Sequence, residues 1–204
     1  MTMTTTRREE IINAFVKVSN RKGLDNTTMQ DIAKEVGISV GTIYLDFKNK
    51  EEIIDAFGKR VFQQINHAVD RILQLTVPAE AKLYELLVGD VKFFSEHIRK
   101  DQSLFEFFHH DIIKHIHKDL KQKRMEFEKQ RIDIIRQVLE QGIEEGEFII
   151  ADPEQTARLF FIAFGSHHFR GPMVLEREHR EVVGDAEAMF AFLLKSIKRE
   201  AAHD

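Results

Sequence analysis

The 204-residue sequence has no cysteine, so neither a disulfide framework nor a thiolate metal site can form. It also lacks a Gly-rich phosphate loop, a nucleophile elbow and a serine in a recognisable triad context. Those absences leave no support for an enzyme, and no catalytic residue and no cofactor is assigned. No apolar run approaches the length of a membrane span or a signal-sequence core, which leads to the expectation of a cytoplasmic protein with no membrane partner. Only 3 prolines are present, at Pro78, Pro153 and Pro172, all at joints between helical stretches. Strand-like alternation is missing throughout, and the chain reads as all-α.

What is present suits a globular protein. Hydrophobic residues make up 43% of the chain, enough for one large domain or two small ones. Net charge is −4, which on its own argues against a polyanionic partner. Its distribution reverses that inference: residues 1–50 carry 8 Lys and Arg against 6 Asp and Glu, and residues 51–204 carry 22 against 28. The slight positive excess therefore lies at the N-terminus. Because it is small, DNA affinity on this basis requires two copies and is salt-sensitive.

The segment MQDIAKEVGISVGTIYLDFKNKEE, from Met29 to Glu52, has the pattern of a helix-turn-helix reader. Residues 29–35 suit a short helix with Ile32 and Val36 on its apolar stripe and Ala33 small enough for a second helix to cross closely. Gly37 stands where the chain turns with positive φ, and Ile38 returns to the core. Ser39 is placed to cap a second helix whose inward face is Val40, Ile43 and Phe47, with Thr42 and Tyr44 pointing elsewhere. Thr6 with Glu9, Thr27 with Gln30 and Asn49 with Glu52 have the spacing of reciprocal caps, marking three helix starts. The first helix is expected over Arg7 to Arg21, burying Ile11, Ile12, Phe15 and Val18, with Gly23 at its end. Two helices crossing at a tight glycine turn present the second to a major groove.

Thr28, followed by IAKEVGISVGTIYLDFKNKEEI from Ile32 to Ile53, resembles the DNA-binding domain of the TetR family of bacterial transcriptional regulators. The resemblance covers about the first quarter of the chain; the remainder is similar in length and helical content. It implies a three-helix DNA-binding domain at 1–50, a helical effector-binding and dimerisation domain at 51–204, and a homodimeric repressor. Such a protein binds a pseudo-palindromic double-stranded DNA operator and is released by a small-molecule effector. Thr28, Tyr44, Lys48 and Lys50 are expected to position phosphates, and Ser39, Val40, Gly41 and Thr42 to lie nearest base edges. One departure is that Leu45 and Asp46 replace the family's common aromatic positions. Asp46 either accepts from a cytosine amino group or turns away toward Lys48 or Lys50, and the intramolecular role is favoured.

Downstream, helical spacing predicts a long helix from Asn49 to about Leu75, then helices from Pro78 to about Arg99, Ser103 to about His117 and Asp119 to Glu145, with Gly146 as a cap. Asp152-Pro153 marks another start, followed by the run ARLFFIAFGSHHF, apolar on more than one side. The last helix is expected over Asp185 to Arg199. These two helices are expected to make the homodimer, through Phe164, Met189, Phe190, Leu193 and Ile197. Phe93, Phe108 and Phe161, with His110 and His168, are the expected effector contacts, favouring an apolar or aromatic ligand. Relatives with similar readers that respond to acyl thioesters make a fatty-acyl effector an implication of the resemblance. His109, His110, His115, His117, His167 and His168 offer an alternative, a metal- or haem-sensing regulator. No metal is assigned, because adjacent histidines on a helix point apart and no HExxH set accompanies them.

Overall fold

A computed structural model describes residues 6–100, 118–169 and 177–198. Helix α1, Arg7–Lys22, begins where the Thr6 hydroxyl accepts from the Glu9 N–H, and ends at Gly23, φ 80°, whose N–H bonds the Ser19 carbonyl at 2.8 Å. Its apolar positions Ile11, Ile12, Phe15 and Val18 are buried as their spacing requires. Helix α2, Met29–Val36, is capped one residue later than Thr27 with Gln30 suggests. Thr28 and Asp31 form the reciprocal box, because the Thr27 side chain is buried and donates its hydroxyl to the Gly23 carbonyl at 2.8 Å. Helix α3, Val40–Tyr44, follows the Gly37 turn (φ 81°), with Ser39 accepting from the Thr42 N–H.

Helix α4, Lys50–Leu73, starts at Asn49, whose side chain accepts from the Glu52 N–H at 2.9 Å. It serves two cores. Ile53, Ile54, Phe57, Val61 and Ile65 close the N-terminal core with Phe15, Ile32, Ile43 and Phe47, while Val69, one turn further, belongs to the C-terminal core. The N-terminal core thus extends well beyond residue 50, and Phe94 from a later helix also enters it.

The stretch expected as one helix after Pro78 contains a widened turn. It divides into α5, Ala79–Tyr84, a π-turn at Glu85–Gly89, and α6, Asp90–Lys100. Pro78 offers no side-chain cap; the distant Glu147 carboxylate accepts from the N–H groups of Ala79 and Glu80 instead. Helices α7, Lys118–Glu144, and α8, Pro153–Phe169, lie within a residue of expectation, and Asp152 accepts from the Gln155 N–H at 2.9 Å. The helix expected over Ser103 to His117 falls outside the described residues.

The last helix, α9, is displaced toward the N-terminus, running His179–Lys195 rather than from Asp185 to Arg199. Gly184 is exposed and meets no neighbour, so the helix passes through it. Its end is set from afar: Ile149 donates to the Ile197 carbonyl at 2.7 Å, and Phe148 and Lys198 form an isolated antiparallel bridge. The C-terminal core gathers Leu83, Leu87, Ile135, Leu139, Phe160 and Phe164 with Phe190 and Leu194 of α9.

Candidate nucleic-acid interface

The two reader helices meet across the Gly37 turn, where Gly37 and Ile38 both donate to the Ala33 carbonyl, at 2.9 and 3.0 Å. Ile43 and Phe47 are fully buried beneath α3, so the opposite side of that helix is the one presented outward. Gly41 and Ser39 are exposed, Val40 and Thr42 partly so, and Tyr44 is 52% exposed. Ser39, Gly41, Thr42 and Tyr44 therefore share one outward surface, while Val40, also expected near a base edge, is half-buried against the N-terminal core. Their polar groups are partly engaged already: the Ser39 and Thr42 hydroxyls lie 2.8 Å apart, and Thr28 donates its hydroxyl to Asp31 at 2.7 Å.

The cations divide into held and free. Lys50, expected at a phosphate, donates its ammonium to the Leu24 and Asp25 carbonyls at 3.0 and 3.2 Å, which anchors the loop between α1 and α2. Arg21 pairs with Glu35 at 2.6 Å and Lys22 with Asp31 at 2.5 Å. The hydrogen bonds from Lys22 and Thr28 draw the Asp31 carboxyl down to about 2. Lys48 is exposed, and Lys17, Lys34 and Lys48 form no ion pair among the described residues.

Asp46 takes the intramolecular role, but with a different partner. Its carboxylate accepts from Arg7 Nε at 2.5 Å, and its backbone carbonyl accepts from Arg8. Arg7 is the main reason the Asp46 carboxyl sits below its ordinary range. Arg8 also stacks over the Phe47 ring at 4.1 Å. Neither Lys48 nor Lys50 holds Asp46: Arg7 and Arg8 of α1 do, and the Lys50 ammonium is bonded to the Leu24 and Asp25 carbonyls. Sequence reading missed this contact, since 39 residues separate Arg7 from Asp46.

In the C-terminal half, Phe93 is 41% exposed and packs edge-on to Phe94 at 5.7 Å, and Phe161 is half-buried against the C-terminal core. Phe108 and His110 fall outside the described residues, as do His109, His115 and His117. The described side chains of α8 end at Gly165, so His167 and His168 also fall outside them. Among the described residues no group of three His, Cys, Asp or Glu converges on a metal-sized site. An open groove of about 610 Å³ lies elsewhere, walled by Ile72, Leu75, Pro78, Ala81, Tyr84 and Phe190.

The residues expected at a dimer contact separate by register. Phe164, Phe190 and Ile197 are buried in the chain's own core, while Leu193 is half-buried and Met189 is 40% exposed. Among the described residues, the large apolar side chains that α8 and α9 do expose are Leu159, Ile162, Met189 and Phe192. Among the described residues, no helix is long and apolar enough to cross a membrane.

Comparison with known proteins agrees with this geometry. Residues 11–57 match the family described as bacterial regulatory proteins, tetR family, and residues 79–188 match its tetracyclin repressor-like C-terminal domain. The fatty acid metabolism regulator protein of Bacillus subtilis is 30% identical over 146 residues, covering 68% of this chain and 69% of that protein. An HTH-type transcriptional regulator of Haemophilus influenzae is 37% identical over 70 residues, and there the match spans only 34% of this chain and 37% of the relative. The transcriptional regulator FadR from Bacillus subtilis, solved in complex with stearoyl-CoA, superposes with a TM-score of 0.64 at 24% identity, covering 91% of this chain and 96% of that one.

Proposed function

Since the chain belongs to the TetR family of bacterial regulatory proteins and is a DNA-binding transcriptional regulator, we propose that it is a homodimeric repressor of a pseudo-palindromic operator, released by a fatty-acyl effector. The observation that carries the DNA reading is the outward surface of α3, with Gly41 and Tyr44 exposed and Thr42 partly so over a fully buried Ile43 and Phe47. With few free cations on each reader, one copy makes too few phosphate contacts, and two readers spaced about one helical turn apart are required. The exposed apolar stripes of α8 and α9 supply the surface for that pairing. The acyl preference is supported by the phenylalanine-rich C-terminal half and by the 30% identity to a regulator named for fatty acid metabolism.

For an effector to lower operator occupancy a hundredfold, it must favour the non-binding state by about 2.7 kcal/mol, and DNA must weaken effector binding by the same factor. The test is to titrate stearoyl-CoA into the purified dimer with and without operator DNA. A matching loss of affinity in the two directions is expected. A stearoyl-CoA affinity indifferent to operator removes that molecule as effector, and equal affinity for a half-site and a full palindrome removes the dimeric mode of binding.

A further inference from the structure

Arg131 on α7 is 5% exposed, and its two terminal nitrogens have different fates. Nη2 donates to the Leu86 carbonyl at 3.1 Å and to the Asp90 carboxylate; Nη1 is buried and has no hydrogen-bond partner among the described residues. A guanidinium donor withdrawn from water without an acceptor is strongly unfavourable, and native proteins seldom keep one without a use for it. Leu86 lies in the π-turn at Glu85–Gly89, and such widened turns recur at functional positions.

The position of this pair is informative. One helical turn before Arg131 is Phe127, packed with the N-terminal core against Phe62 at 5.1 Å; one turn after it is Ile135, in the C-terminal core. Asp90 repeats the arrangement on α6, with Leu86 in the C-terminal core one turn before it and Phe94 in the N-terminal core one turn after. On α4 the change of core falls between Ile65 and Val69. The two helices that carry the pair thus place it where the reader's core gives way to the sensor's core, and α4 changes core in the same way.

We propose that Arg131 Nη1 binds a neutral carbonyl oxygen of the effector, so that an apolar ligand is held with its carbonyl at the seam between the two cores. The charge of Arg131 is already met by the carboxylate of Asp90, with which it forms an ion pair. A second carboxylate at this point adds an uncompensated negative charge in a dry site, whereas a thioester, ester or ketone oxygen satisfies Nη1 without one. A ligand anchored here touches a region where the two cores adjoin, which gives it purchase on the reader. The inference rests on the acyl-effector reading above and names the group that recognises the acyl carbonyl.

The test uses the full-length dimer and two probes, stearoyl-CoA and S-octadecyl-CoA, the thioether in which a methylene replaces the carbonyl. The wild-type protein is expected to bind the thioester about tenfold more tightly, since the thioether leaves Nη1 unsatisfied. Arg131→Lys keeps a cation for Asp90 but removes Nη1, and is expected to bring the ratio close to one with thioether affinity retained. Should that variant fail to fold, nitrogen-15 NMR of the wild-type guanidinium groups replaces it: a buried arginine signal that responds to the thioester and not to the thioether is expected. Equal wild-type affinities, a ratio that survives Arg131→Lys, or an arginine signal unmoved by the thioester overturns the assignment. Equal tight binding of both probes leaves the acyl-effector reading standing, whereas binding of neither removes both.

Discussion

Asp46 shows how one side chain sets the charge that a reader presents. Its carboxylate holds Arg7 in a pair that is partly exposed on the aspartate side and half-exposed on the arginine side, so solvent screens the attraction and its weight in folding is small. Its weight in DNA binding is larger, because a paired arginine is no longer a full phosphate contact. Asp46→Ala is therefore expected to raise affinity for any duplex and to steepen the salt dependence by about one contact, as Arg7 is set free. Arg7→Ala is expected to leave the slope nearly unchanged, its charge being compensated in the wild-type protein. Binding measured across a series of salt concentrations checks both. A weaker, shallower response in Asp46→Ala means that Asp46 itself touches DNA, as an acceptor from a cytosine amino group.

At the scale of elements, the helix starts were legible where the capping groups are close in sequence. Thr6, Ser39, Asn49 and Asp152 each cap the helix that their spacing suggests. The misreadings have non-local causes. Thr27 is withdrawn to the Gly23 carbonyl, which passes the cap to Thr28, and α9 ends early because Ile197 and Lys198 are drawn to Phe148 and Ile149, nearly fifty positions away. The π-turn has no sequence mark of its own, and the partners of its Leu86 carbonyl and of Asp90 lie on another helix. The same distinction between local and remote causes separates two glycines. At Gly37 an added Cβ meets nothing within 4 Å, so Gly37→Ala suffers only from its φ of 81°, a loss of about 1 kcal/mol that Gly37→Asn partly recovers. At Gly142 an added Cβ falls 2.2 Å from the buried Phe148 ring. Alanine there gains about 1 kcal/mol of helix propensity but overpacks the core by roughly 1–3 kcal/mol, so net destabilisation is expected. Phe148→Leu in the Gly142→Ala background is expected to restore part of the loss, and Asn at 142 none. Chemical denaturation of the variants checks this, and additive losses in the double variant mean the two sites do not collide.

For the whole molecule, periodicity identified α8 and α9 as the helices with apolar surface to spare, yet it could not say which face turns inward. Both are apolar on more than one side, and a stripe that fills the chain's own core has the same spacing as one that meets a second copy. Folding decides it: Phe160 and Phe164 of α8 and Phe190 and Leu194 of α9 go inward, leaving Leu159 with Ile162, and Met189 with Phe192, as an exposed pair on each helix. Phe192 is 72% exposed and Ile162 61%, so a carboxylate at either position stays in water in the monomer and is buried only if a partner covers it. Phe192→Glu or Ile162→Glu is accordingly expected to give folded monomers with helix content intact, and to reduce affinity for a full palindrome to that for a half-site. Phe164→Glu forces a charge into the chain's own core and is expected to unfold the C-terminal half, whatever the state of association. Sedimentation with circular dichroism distinguishes the two outcomes. A Phe192→Glu protein that stays dimeric and binds the palindrome normally places the contact elsewhere, and the coupling of two readers through α8 and α9 would then have to be abandoned.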